Sequence, residues 1–334
     1  MLVKKAFDHS ARMKMDFRNF CIATITIALV ISTAACGQNV VTPTTTPLPT
    51  ATSIPTAAPT ATPAPTLQPG DSQRTLTVNG QERTYLLHIP PGLDGSQPVP
   101  VVFALHGFDN EIHFEITDLQ YSTGFSTIAD ANGFVVLYPS GVSGVWNAGK
   151  CCGSASANNV DEPAFIRQIL SDLGTIIKID PKRIYAAGFS MGGMFSFALA
   201  CQMSDIFAAV APVAGALLYD PCKPSQPVSV LQVHGMKDTL VPYSGGVGNF
   251  MTGNIDFPSA EQGISTWAQL DGCTGSPQVE KQGTIGTHTF YTSCQAGSAV
   301  ELYTLDGLGN NWPSQYVLPV SQLIWDFFKA HPKQ

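Results

Sequence analysis

Ile184-Tyr-Ala-Ala-Gly188-Phe-Ser190-Met-Gly192-Gly-Met-Phe-Ser-Phe197 is the stretch on which the fold turns. Small and β-prone residues run into Gly188-Phe189-Ser190-Met191-Gly192, and an apolar segment free of proline follows. The expected order is strand, sharp turn, helix, which is the setting of a nucleophile elbow. Glycines flank the serine because the tight turn brings backbone against backbone, where a Cβ would collide. The Ser190 hydroxyl then projects above the sheet at a helix N-terminus, whose unpaired N–H groups and dipole favour developing negative charge.

On either side of the elbow the pattern alternates between strand and helix. Arg74 to Val78 and Arg83 to Ile89 flank Asn79-Gly80, a hairpin signal. Val99 to Leu105 is a continuous apolar run that suits a strand buried on both faces. A helix over Tyr121 to Ala131 and a strand over Val135 to Tyr138 come next. Asp161 caps a further helix with Pro163 in its first turn and Phe165, Ile166, Ile169, Leu170 and Leu173 at helical spacing. Strands over Ala208 to Val213, Val228 to Val233 and Val300 to Leu305, and helices over Ala260 to Leu270 and Ser321 to Ala330, complete the pattern. Strands separated by helices predict an α/β domain, a mainly parallel sheet flanked by helices, over residues 71–334 and without internal repeats.

The residues before that domain read differently. Lys4, Lys5, Arg12, Lys14 and Arg18 precede an apolar run from Phe20 to Ile31 and the small residues Ser32-Thr33-Ala34-Ala35 before Cys36. Residues 1–36 are therefore expected to be a secretory signal. Its end resembles a bacterial lipoprotein signal in which Cys36 is lipidated, with ordinary secretion and cleavage nearby as the alternative. Residues 37–70 are largely Thr, Pro and Ala and read as an extended tether. Of eight cysteines, Cys21 leaves with the signal and Cys36 is the lipidation candidate, so six remain for an oxidising compartment. Cys273 with Cys294, at the edges of the hairpin-like stretch Gln278 to Tyr291, and Cys201 with Cys222 are the expected pairs. Cys151 and Cys152 pair with each other or with separate partners. The cysteines lack metal-ligand spacing, so no metal is expected. A net charge of -7 with 12% charged residues gives no footprint for nucleic acid or an anionic membrane. A lipid at Cys36 would be the membrane contact of an otherwise soluble, exported monomer.

A serine nucleophile needs a base, an acid that orients the base, and donors for the oxyanion. The strand ending at Val233 leads into His234-Gly235-Met236-Lys237-Asp238, so Asp238 lies in a loop beyond a strand's C-terminal end. Asp238 is the expected triad acid. The strand ending at Leu105 leads into His106-Gly107-Phe108, where a second oxyanion donor, the Phe108 N–H, would join that of Met191. His106 and His234 read as loop-fixing residues rather than bases. Trp146, Trp312 and Phe108 could line an apolar cleft for an aromatic acyl group or pack into the core.

Several segments resemble the polyhydroxybutyrate depolymerase and feruloyl esterase branch of secreted α/β-hydrolases, a group that also includes acetylxylan esterases. They are Leu105-His106-Gly107, Tyr138 to Gly141, Trp146 to Gly149 with Cys151-Cys152, Asp161 to Phe165, Asp180 to Arg183, the elbow, Phe207 to Gly215 and His234 to Tyr243. The resemblance covers Gln73 to Ala330 and implies an α/β-hydrolase fold and an ester hydrolase with Ser190 as nucleophile, Asp238 as acid and no cofactor. Such proteins carry Gly-Gly-Gly-His-x-Trp-Pro after the last strand, and that His is the base. Here the segment reads Gly307-Leu308-Gly309-Asn310-Asn311-Trp312-Pro313, with Asn310 at the position of the base. An amide cannot act as a general base near neutral pH. His113 and His288 are the histidines considered as substitutes. The expectation is a tethered extracellular serine ester hydrolase acting on a polyhydroxyalkanoate or on feruloylated or acetylated hemicellulose. The alternative is a surface protein that binds such a polymer without turning it over.

Overall fold

The elbow strand is the spine of the sheet in the computed structural model, which describes residues 67–108, 115–249 and 255–334. All of these belong to one compact unit, Ala61–Gln334. Cys36, the stretch before Leu67 expected to be a tether, and His113 lie outside the described residues.

The elements in chain order are β1 (Gly70–Val78), β2 (Gln81–Ile89), β3 (Val99–Leu105), α1 (Glu115–Thr123), α2 (Phe125–Asn132) and β4 (Val135–Pro139). α3 (Gly153–Ala157), α4 (Glu162–Leu173), β5 (Ile179–Phe189), α5 (Met191–Gln202), β6 (Ala209–Val213) and β7 (Ser229–Gly235) follow. The chain continues through β8 (Gly246–Val247), β9 (Asp256–Phe257), α6 (Ala260–Leu270), β10 (Gln278–Gln282), β11 (Gly286–Tyr291), β12 (Val300–Leu305) and α7 (Val320–Ala330).

Ten strands form one sheet in the order β1-β2-β4-β3-β5-β6-β7-β12-β11-β10. The stretch from β4 to β12 is parallel. Antiparallel strands extend it at both edges. This is an α/β-hydrolase sheet with helices on both faces. β3 shows why its sequence had to be apolar throughout: Val101, Phe103 and Leu105 join the core under α4, α5 and α6. Val102 and Ala104 join the second core under α2 and α7.

Two local features differ from expectation. The helix anticipated over Tyr121 to Ala131 is broken at Gly124, whose φ of 62° ends α1 and starts α2. The one-turn helix α3 has no apolar periodicity and was not foreseen. The six cysteines pair as Cys151–Cys152, Cys201–Cys222 and Cys273–Cys294. β1 starts at Gly70 opposite Ile89, and near the other terminus the Lys333 N–H donates to Lys182 O, just before the buried part of β5.

Candidate active site

Ser190 sits between β5 and α5 with φ 53° and ψ −112°, a conformation that an L-residue adopts only when its surroundings hold it. The surroundings do so through missing Cβ atoms. A Cβ on Gly188 would stand 2.0 Å from Gly192 O, and one on Gly192 would stand 2.1 Å from Leu105 O. The second contact presses the end of β3 and the loop after it against the start of α5. Ser190 N donates to Val213 O at 2.8 Å, and Met194 N donates to Ser190 O at 3.0 Å. Met191 is the first residue of α5, so its N–H belongs to the unpaired set of a helix start. The Ser190 hydroxyl makes no hydrogen bond to another described residue.

His106 fixes the loop after β3. Its Nδ1–H donates to Gly107 O at 2.6 Å and its Nε2 accepts from Gly141 N at 2.9 Å, which uses both ring nitrogens. Trp146 is fully buried, which corrects the expectation that it might line the cleft. Its indole stacks on Phe195, its Nε1–H donates to His106 O at 3.1 Å, and its backbone N–H donates to Met191 Sδ. Trp312 is half-buried, edge-on to Phe125 of α2, and donates to Ser321 Oγ of α7 at 3.1 Å.

Behind that loop lies a pair that sequence reading missed. Arg83 of β2 donates to Glu162 Oε2 at 2.9 Å and to Ser140 O at 3.1 Å. Glu162 Oε1 accepts from Asn147 N at 3.4 Å. Both residues are almost wholly buried, and burial pushes the Glu162 carboxyl above its ordinary 4.5 although Arg83 pulls the other way. The signal was present: the period of two puts Arg83 on the core face with Tyr85, Leu87 and Ile89, where an isolated cation needs an anion.

Asp238 lies in the loop after β7. Its Oδ1 accepts from Leu240 N and Val241 N, each at 2.9 Å. Asn310 reaches it from the loop after β12: Asn310 Nδ2 donates to Asp238 Oδ2 at 2.8 Å. The two loops meet because Gly235 has no side chain; a Cβ there would stand 2.2 Å from Leu308 O. Lys237 N donates to Leu308 O at 2.8 Å and closes the junction. The amide thus makes the hydrogen bond to the acid that an imidazole N–H would make.

The other described histidines are committed elsewhere. His234 Nε2–H donates to Val241 O at 2.8 Å and lies 3.4 Å from Asp238 Oδ2, while its Nδ1 accepts from Gln232 Nε2 at 3.2 Å. No lone pair on it is left for a serine. His288, considered as a substitute base, is stacked between Phe290 and Tyr303 and bonded to Glu301 at 2.8 Å, so the structure removes it from the candidates. His88 is held between Asp71 and Asp130, and His331 donates to Phe327 O.

Residues 77–281 match the family model described as "Putative esterase". The chain belongs to this esterase family. Feruloyl esterase B of Piromyces equi is 33% identical over 260 residues, covering 74% of this esterase-family chain and 45% of that protein. The bifunctional acetylxylan esterase/xylanase XynS20E of Neocallimastix patriciarum is 30% identical over 230 residues, covering 68% of this chain and 30% of the relative. The chain thus spans less than half the length of these two curated relatives. Among solved structures, the acetyl xylan esterase from Aspergillus awamori superposes with a TM-score of 0.53 at 15% identity, over 77% of this chain and 99% of that one. That likeness concerns the fold, the one assembled around Ser190 here.

Proposed function

We propose that this chain is a serine carboxylic ester hydrolase of reduced turnover, acting outside the cell on feruloyl- or acetyl-type esters of plant-wall polysaccharide. The observation that carries the reading is Ser190 at φ 53° on the elbow at the head of α5, and the hydrogen bond between Asn310 and Asp238 supports it. Ser190 Oγ attacks the ester carbonyl, and the Met191 and Phe108 N–H groups receive the oxyanion. The alcohol leaves, and water releases the acyl group. With Asn310 beside Asp238, the serine proton passes to solvent instead of an imidazole, and both steps are slow. The relatives named for feruloyl and acetylxylan esters support a polysaccharide ester over an aliphatic polyester. Three disulfides support an oxidising compartment. A lipid at Cys36 remains part of the proposal.

The second reading, a protein that holds the ester-bearing polymer without turnover, is favoured by the Asn310–Asp238 hydrogen bond itself. Hydrolysis of a chromogenic feruloyl or acetyl ester by the chain, Ser190→Ala and Asn310→His separates the two. The hydrolase reading expects slow turnover that Ser190→Ala abolishes and Asn310→His raises by at least about a thousandfold, part of what loss of a triad member costs elsewhere. A silent chain that Asn310→His awakens leaves the binding reading in possession. If Asn310→His stays silent as well, Ser190 is not a hydrolytic nucleophile in this fold.

A further inference from the structure

Away from Ser190 the surface holds two adjoining cavities of about 640 and 580 Å³, and Lys150, Tyr219 and Asp220 line both. Together they make one groove, from α6 and the β8–β9 hairpin across Tyr219 to α3 and the start of α4. Lys150 Nζ and Asp220 Oδ2 pair at 3.0 Å across its middle. The half-buried ring of Tyr219 is seated by Gly149, where a Cβ would meet the tyrosine Cα at 2.9 Å and Cδ2 at 3.1 Å. Gln202 at one end and Thr266 at the other bond through their side chains to no other described residue.

Behind the Gly263 wall of the groove one buried acceptor has no partner. Gln232 Oε1 is sealed inside the protein without a partner, while its Nε2 donates to Gly215 O at 2.9 Å. Gly263 lines the groove, and a Cβ on it would stand 3.9 Å from that oxygen.

We infer that this groove binds the main chain of a neutral oligosaccharide, on the polysaccharide-ester reading above. Hydroxyl groups both donate and accept, which matches the amide and hydroxyl walls of the groove. Sugar rings present apolar C–H faces suited to the Tyr219 ring. Asp161, Asp220 and Asp256 outnumber Lys150 among the charged lining groups, which disfavours a polyanion. An aliphatic polyester has acceptors and no donors, so it offers nothing to the groove carboxylates. The groove begins next to the segments that serve the site: Asn147 follows Trp146, and Ser244 follows Val241, which binds Asp238.

The test is calorimetric titration of the full chain with unesterified xylohexaose, alongside Thr266→Trp, which fills the groove from an exposed position, and Tyr219→Ala. Saturable binding weakened at least about tenfold in either variant is the expected result. If Tyr219→Ala fails to fold, Thr266→Trp decides alone. No saturable binding, undiminished binding in the folded variants, or displacement of the sugar by a 3-hydroxybutyrate oligomer would overturn the inference. Ester turnover, scored separately, keeps the two readings apart. A chain that binds xylohexaose without turning over esters upholds the groove and sinks the hydrolase, and the opposite pattern does the reverse.

Discussion

The amide of Asn310 and the imidazole that the resemblance places there share a donor and differ by one basic lone pair. The shared donor explains why the acid loop is undisturbed: Asp238 Oδ2 has its partner at 2.8 Å. Ser190, Asp238 and Asn310 were legible because each stands in a short motif tied to a strand end, and local order fixes such positions. Trp146 was not, since no local signal tells an indole lining a cleft from one stacked on Phe195. A second residue was equally hidden. Asp271 is buried with Oδ2 unpartnered, and desolvation pushes its carboxyl from the ordinary 3.8 up to about 6. An acid whose pKa is raised in the folded state favours the fold while protonated and opposes it once ionised. Stability should therefore fall as pH rises from about 4 to about 6, by at most about 3 kcal/mol. Asp271→Asn is expected to flatten that fall and to be the more stable protein at pH 7 but not at pH 3.5, as read by urea midpoints at the two values.

At the scale of elements, helix starts were the most readable features. Asp161 accepts from Ala164 N at 3.0 Å to start α4, and Ser259 with Gln262 closes a capping box on α6. Both signals lie within four residues of sequence. What joins β2, α4 and the 140–147 loop does not: Arg83 and Glu162 are 79 residues apart. Their bridge holds the loop whose Gly141 and Trp146 grip His106. Removing one partner of a buried pair strands the other, at a cost of about 3–5 kcal/mol. Glu162→Gln keeps the shape and loses the charge, so a destabilisation towards the lower end of that range is expected, measured by chemical denaturation. Asp172 shows a half-buried version of the same device. Its burial cost is outweighed by hydrogen bonds from Arg74 and Tyr85, which hold its carboxyl below the ordinary 3.8 and tie β1 and β2 to α4.

For the whole molecule, the alternation of apolar runs and helices was enough to read a mainly parallel sheet. Strand order was not, because it depends on contacts between distant segments such as β12 beside β7. The disulfides act at this scale too. Cys201–Cys222 and Cys273–Cys294 each span 21 positions, a loop length for which a crosslink contributes about 3 kcal/mol in the chain-entropy view. The double variant Cys201→Ala/Cys222→Ala should lose about that much and still fold, a result that equilibrium denaturation under oxidising conditions would read. Stability unchanged from the parent would show that the crosslink adds nothing to this fold. The register of β1 carries a practical consequence. Gly70 stands opposite Ile89 and Lys333 binds Lys182, so both ends of the described chain meet the pole of the sheet opposite the one bearing Ser190. An affinity tag, a carrier protein or a bead linked at either end of the described residues would leave Ser190 facing the bulk solution.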